Sequence, residues 1–117
     1  MSIKLPMLFG STPDSIKSTD YKDEDNNTVK RYIWKFRNEK RNGVNLIIEP
    51  YTESDNLIWK IEVFEVLWDG DDYNESSNPI IQHTKDSFRK IIKCAENSIE
   101  QINNSDITEK VSINNIL

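Results

Sequence analysis

The sequence predicts an α+β fold. An antiparallel β-meander of three to five strands should carry one long amphipathic helix, about residues 85–103, packed on one face. Three observations predict it. The apolar run Leu57–Trp68 is long and rich in strand-forming residues. Two shorter alternating segments precede it, separated by turn-rich stretches. A one-sided helical pattern follows it. Strands in succession and then a helix give a sheet with one covering layer. At 117 residues, one domain spanning 1–117 is expected, long enough to bury a core without disulfides or metals.

The N-terminal residues are the least informative. Ile3, Leu5, Met7 and Phe9 alternate, and Pro6 among them favours an edge strand. Residues 10–28 are polar and acidic, with Ile16 and Tyr21 as the anchors beyond the break at Gly10–Pro13. A mobile segment or surface loop is expected there, with a weak edge strand around Ser15 to Thr19 as the alternative.

Residues 29–37 read as a strand. Tyr32, Trp34 and Phe36 share one face, and Arg31, Lys35 and Arg37 share the other with Ile33. Val44, Leu46 and Ile48 mark the next strand. The Asn42-Gly43 pair between them suits a hairpin turn with positive φ. In the third strand Leu57, Trp59, Ile61 and Val63 alternate with Ile58, Lys60 and Glu62, but Phe64, Val66 and Trp68 then shift the apolar phase. Either a bulge near Val63 and Phe64 restores one face, or the strand is central and covered on both sides in its second half. Short connections make these three strands a meander. Asp69 to Asn78 is an acidic loop, and Pro79–His83 either adds a short strand or leads into the helix. Thr84 is the expected N-cap, with Asp86 in the first turn. On a helical wheel Phe88, Ile91, Ile92, Ala95, Ile99 and Ile102 fall within an arc about 100° wide. The tail to Leu117 reads as a short helix, a last strand or a frayed end.

Charge narrows the function classes. The net charge of −5 argues against direct nucleic-acid binding, which needs a basic footprint. The charges are also segregated. Lys30, Arg31, Lys35, Arg37, Lys40 and Arg41 cluster with one acid among them, Glu39. Acids gather at Asp20 to Asp25 and at Asp69 to Glu75. Tyr32, Trp34 and Phe36 are expected in the core, opposite the basic residues, and not as stacking platforms for nucleic-acid bases; the basic face is left to meet an acidic partner or the protein's own acidic loop. No run approaches the length of a membrane span, and no secretory leader is read, so a cytoplasmic protein is expected. The single cysteine, Cys94, excludes an internal disulfide; it falls about sixty degrees outside the helix's apolar arc, and a packing residue at the edge of the core is expected.

The catalytic inventory is nearly empty. His83 is the one histidine, and a residue without a chemical role at the helix entrance is the expectation. Walker, HExxH, nucleophile-elbow and GxGxxG patterns are all missing. The loop Asp69–Glu75 is rich in oxygen donors but lacks EF-hand spacing, so a solvated loop is expected in preference to a metal site. No enzyme activity, catalytic residue, cofactor or metal is therefore implied.

The same loop has a second use. Asp69, Asp71, Asp72 and Glu75 surround Tyr73 and follow Trp68. An aromatic anchor in a field of carboxylates is a workable surface for a basic protein partner. Tyr51 and Glu53 are expected at the same end of the sheet. In size, charge and layout the chain resembles small acidic bacterial inhibitors such as the immunity proteins that neutralise a basic toxin. The resemblance implies a binding protein that blocks the active cleft of a toxin or nuclease, and it carries no residue-level motif. A phage-encoded anti-defence protein that mimics nucleic acid, and a small acidic secretion chaperone or adaptor, are the alternative expectations. The abundance of Asn, Ile, Lys and Ser suggests a bacterium or its phage.

Overall fold

A computed structural model describes residues 11–103. The expected strand over Ile3–Phe9 and the tail beyond Asn103 lie outside the described residues. The architecture is α+β: a six-stranded antiparallel sheet with one helix packed on it. The strands are β1 (Ser15–Lys22), β2 (Thr28–Arg37), β3 (Gly43–Glu53), β4 (Asn56–Trp68), β5 (Tyr73–Glu75) and β6 (Ile81–Lys85), and the helix is α1 (Phe88–Asn103). Neighbours run β1-β2-β3-β4, and β5 and β6 share the far edge of β4. Five positions across the sheet thus hold six strands.

Pairing between β3 and β4 is continuous from Gly43↔Val66 to Glu53↔Asn56. No bulge interrupts it, so the change of phase in β4 is not absorbed by the backbone. Ile61 and Val63 face the helix and are fully buried, while Val66 is buried on the opposite face. The second expectation holds: β4 is central and carries apolar residues on both sides. The irregularity lies in its neighbour. Val66 faces Glu75 and Val63 faces Ile81, so six steps along β5–β6 match three along β4. The extra residues loop out around Ser77–Pro79. The amides of Ser76 and Ile80, on either side, still donate to Glu65 and Val63 carbonyls (both 2.8 Å).

The polar segment before β2 forms the edge strand β1 and not a loop. Its side chains bury little: Ile16 is exposed. Backbone pairing to β2 holds it, with the Thr19 hydroxyl donating to the Val29 carbonyl (2.6 Å).

The turns follow from side-chain chemistry. Asn38 closes β2–β3: its Oδ1 accepts the amides of Lys40 (2.9 Å) and Asn42 (3.1 Å). The residue at positive φ is Arg41 (66°), not Asn42 or Gly43. Gly43 is required for closeness, because a Cβ there would lie 1.6 Å from the Phe36 carbonyl oxygen. The β1–β2 turn repeats the design, with the Asp23 carboxylate accepting the amides of Asp25 (2.9 Å) and Asn27 (2.8 Å) and positive φ at Asn26 (65°). The β3–β4 turn is a two-residue connection, with Ser54 (51°) and Asp55 (66°) both at positive φ, the I′ geometry that matches strand twist.

The core lies between sheet and helix. Trp34 and Phe36 of β2, Val44, Leu46 and Ile48 of β3, and Ile61 and Val63 of β4 meet Ile91, Ala95, Ile99 and Ile102 of α1. The start of the helix is pinned by aromatic contacts of Phe88 with Trp59 (4.7 Å) and Tyr32 (5.7 Å). Helix capping differs from expectation. Thr84 belongs to β6, and Ser87 is the cap, its Oγ accepting the Lys90 amide (3.2 Å). Asp86 precedes the cap and pairs with Lys90 (2.9 Å). Cys94 packs at the edge of the core. The Trp34 indole donates to the Ser11 carbonyl (3.1 Å), tying the start of the described chain to the core.

Candidate partner-binding site

The opposite face of the sheet carries charge. Arg31, Glu49 and Lys60 lie in one row across β2, β3 and β4, as the register through Ile33↔Ile47 and Glu49↔Lys60 requires. They form ion pairs at 3.0 Å (Arg31–Glu49) and 3.3 Å (Lys60–Glu49), and Lys60 also reaches Glu62 (3.2 Å). Burial works to lower the Lys60 pKa, but hydrogen bonds to Glu62 and Glu49 outweigh it and hold the ammonium above its usual range. One base of the β2 face, Arg31, is thus matched by the protein's own acids.

The acidic loop leaves β4 at the other end of this face. Its first residue shapes it. One oxygen of Asp69 accepts the amides of Asp71 and Asp72 (both 2.9 Å), and the other accepts the Asn74 side-chain amide (3.0 Å). Bonds from these donors, that from the Asp72 amide first, hold its pKa at about 2. Asp69 is therefore a structural residue of the loop. Gly70, at φ 104°, makes the bend.

Beyond the turn, β5 returns along β4 and sets Tyr73 opposite Trp68, with ring centroids 4.7 Å apart. Tyr73 remains 51 % exposed. Two bases from the β2–β3 hairpin cover these rings: Arg37 lies 5.2 Å from the Tyr73 centroid and Arg41 4.9 Å from that of Trp68. The Trp68 amide donates to Asn42 Oδ1 (2.8 Å), which joins the two turns. Arg37 also donates to the carbonyls of Phe36 (2.9 Å) and Val44 (3.0 Å) and to Asn45 Oδ1 (2.7 Å). Burial draws its guanidinium below the usual range, while Tyr73, Asp14 and Glu75 act in the opposite sense. The Asn45 amide donates to Glu75. A shallow depression of about 410 Å³ opens here, bordered by Asp14, Lys35, Arg37, Tyr73 and Glu75.

Of the expected site residues, Tyr73 and Glu75 come together on one surface, Asp71 and Asp72 stand exposed at the tip, and Asp69, also exposed, is bound to the amides of its own loop. Tyr51 and Glu53 are not with them. Successive turns of a meander alternate between ends, so the β3–β4 turn lies at the far end of the sheet. A meeting of the basic face with the protein's own acidic loop was one of two expectations for that face, and the structure brings Arg37 and Arg41 to the loop's aromatic rings; which bases would do so was not read. The available signal was the parity of Arg37 on the non-core face of β2 and the short hairpin that holds Arg41. His83 is exposed on β6, across from Ile61. Among the described residues no helix is long and apolar enough to cross a membrane, and no three acids, histidines or cysteines converge as metal ligands. No protein-family model matches the chain, and no curated protein or solved structure matches it either.

Proposed function

We propose that the chain is a small binding protein of the immunity or inhibitor type, which docks on a basic protein such as a toxin or nuclease and occludes its active cleft. The observation that carries this reading is Tyr73: half exposed, braced by Trp68, and flanked by the exposed carboxylates of Asp71, Asp72 and Glu75. An aromatic side chain fixed before binding gives contact area at low entropic cost. The carboxylates would steer a basic partner and penalise an acidic one. The role needs no catalysis and no cofactor. A cytoplasmic location suits it, since the free Cys94 thiol persists in a reducing compartment.

The test is a pull-down with the tagged chain from its source organism, at low and at high salt, followed by an activity assay of what is retained. A stoichiometric basic protein that is released by salt and loses its activity on mixing is the expected result. Exchanging Asp71, Asp72 and Glu75 for lysine should weaken that complex at least tenfold. Undiminished affinity in this variant would remove the loop from the mechanism.

A further inference from the structure

A groove of about 760 Å³ opens at the end of the sheet opposite the acidic loop. Its floor is the start of β4: Leu57, Ile58 and Trp59, each half-buried. Asp23, Glu24 and Asp25 of the β1–β2 turn form one wall, with Asp55 of the β3–β4 turn and Asp86 before the helix on the others. Both hairpin turns have fixed backbones, one closed by the Asp23 carboxylate and one by its two positive-φ residues. The Trp59 ring packs against Phe88, with centroids 4.7 Å apart.

The two ends of the sheet differ in how their charge is balanced. Around the Asp69–Glu75 loop, Arg37 and Arg41 lie against the aromatic rings. In the groove the lining base is Lys22, and its ammonium donates to the Thr28 hydroxyl (2.6 Å). Asp86 is matched by Lys90. Asp23, Glu24, Asp25 and Asp55 form no ion pair among the described residues. The groove therefore joins an apolar floor that includes Trp59 to walls in which four carboxylates, of Asp23, Glu24, Asp25 and Asp55, outnumber the one lining base, Lys22.

We propose that this groove is a docking site for an arginine side chain presented by a basic segment of a protein partner. A guanidinium can lie flat on an indole while its edge donates in parallel to carboxylates, and an ammonium cannot do both. The inference rests on the binding role proposed above and adds a second contact, at the other end of the molecule from Tyr73. A partner that engages both must span the length of β4.

The experiment uses the full chain and a peptide of alternating arginine and glycine at low ionic strength, followed by tryptophan fluorescence and calorimetry. Binding should perturb the fluorescence of Trp59, so the signal survives in Trp68→Phe and is lost in Trp59→Phe. Glu24→Lys with Asp25→Lys should weaken the peptide at least tenfold. Asp71→Lys with Asp72→Lys changes net charge equally and should weaken it less than threefold. A peptide of alternating lysine and glycine should bind severalfold less well than the arginine peptide. Equal losses in the two double variants would mean that the peptide reads net charge, and would overturn the groove. Absence of binding to the parent chain would overturn it too. A protein partner lost on changing the Tyr73 loop but indifferent to Glu24→Lys with Asp25→Lys would overturn the groove while leaving the binding role in place.

Discussion

Asp69 shows how an acidic residue in an exposed loop can serve the fold. Its carboxylate accepts three N–H donors and defines the turn that presents Tyr73. Hydrogen bonds hold its pKa in the fold at about 2, well below the usual carboxylate range. A carboxyl whose pKa is depressed by folding stabilises the charged, folded form above its unfolded value, and that contribution disappears as the pH falls through the folded value. The loop should therefore stay ordered down to about pH 3 and loosen with a midpoint near pH 2. Amide NMR shifts of Asp71, Asp72 and Asn74 would report it. In Asp69→Ala those shifts should be absent, and Tyr73 should show its acid-form signals at every pH. Gly43 makes the contrary point, a residue chosen for what it lacks. A methyl group 1.6 Å from the Phe36 carbonyl oxygen cannot be accommodated by rotating a side chain. Gly43→Ala should cost about 3 kcal/mol in urea unfolding, the upper end for overpacking because the obstacle is backbone.

At the scale of elements, the turns are where sequence and backbone agree least. Ser54 holds φ at 51° in a two-residue hairpin turn, where asparagine and glycine are favoured. Asn26 holds φ at 65°, but asparagine tolerates that region. Ser54→Gly should therefore raise stability by about 1 kcal/mol, or roughly 4 °C in Tm, and Asn26→Gly should change it by a few tenths. Equal gains at both sites in thermal melts would refute the strain assigned to Ser54. The same contrast explains what could be read beforehand. β2, β3, β4 and α1 were legible because each buries a full face, and burial writes itself as period two or period 3.6 in the residues. β1 was barely legible because its backbone, not its side chains, holds it to β2. The phase change at Phe64 was visible, but the choice between a bulge and a two-faced strand depended on its partner's register. For the candidate site, the exposed residues of the loop were readable from composition. The structural role of Asp69 was not, because its carboxylate's partners are amides of its own loop whose backbone path composition does not give; nor was the approach of Arg37 and Arg41, which depends on which turns share an end of the sheet.

At the scale of the whole molecule, the described residues form two layers, and their main core cluster lies at the one interface between them. Every described residue of that core lies either on one face of β2, β3 and β4 or on α1. The other face buries Val66 and carries ion pairs that are partly open to water, and such pairs contribute little individually. The helix is therefore half of the stabilising contact and cannot detach without exposing Trp34, Leu46 and Ile61. Ile99, fully buried at the centre of that contact, is the residue on which to test this. Ile99→Ala should cost about 3 kcal/mol, a large share of the roughly 5–15 kcal/mol of a small domain. It should lower Tm by about 10 °C. Because the core cluster is one interface, far-UV dichroism of the helix and near-UV dichroism of the buried Trp34 should be lost in one transition, in the variant as in the parent. A variant in which the helix signal vanished at lower denaturant than the tryptophan signal would show a sheet that stands without its cover. The sheet's own apolar face would then have to be stabilised by something other than α1.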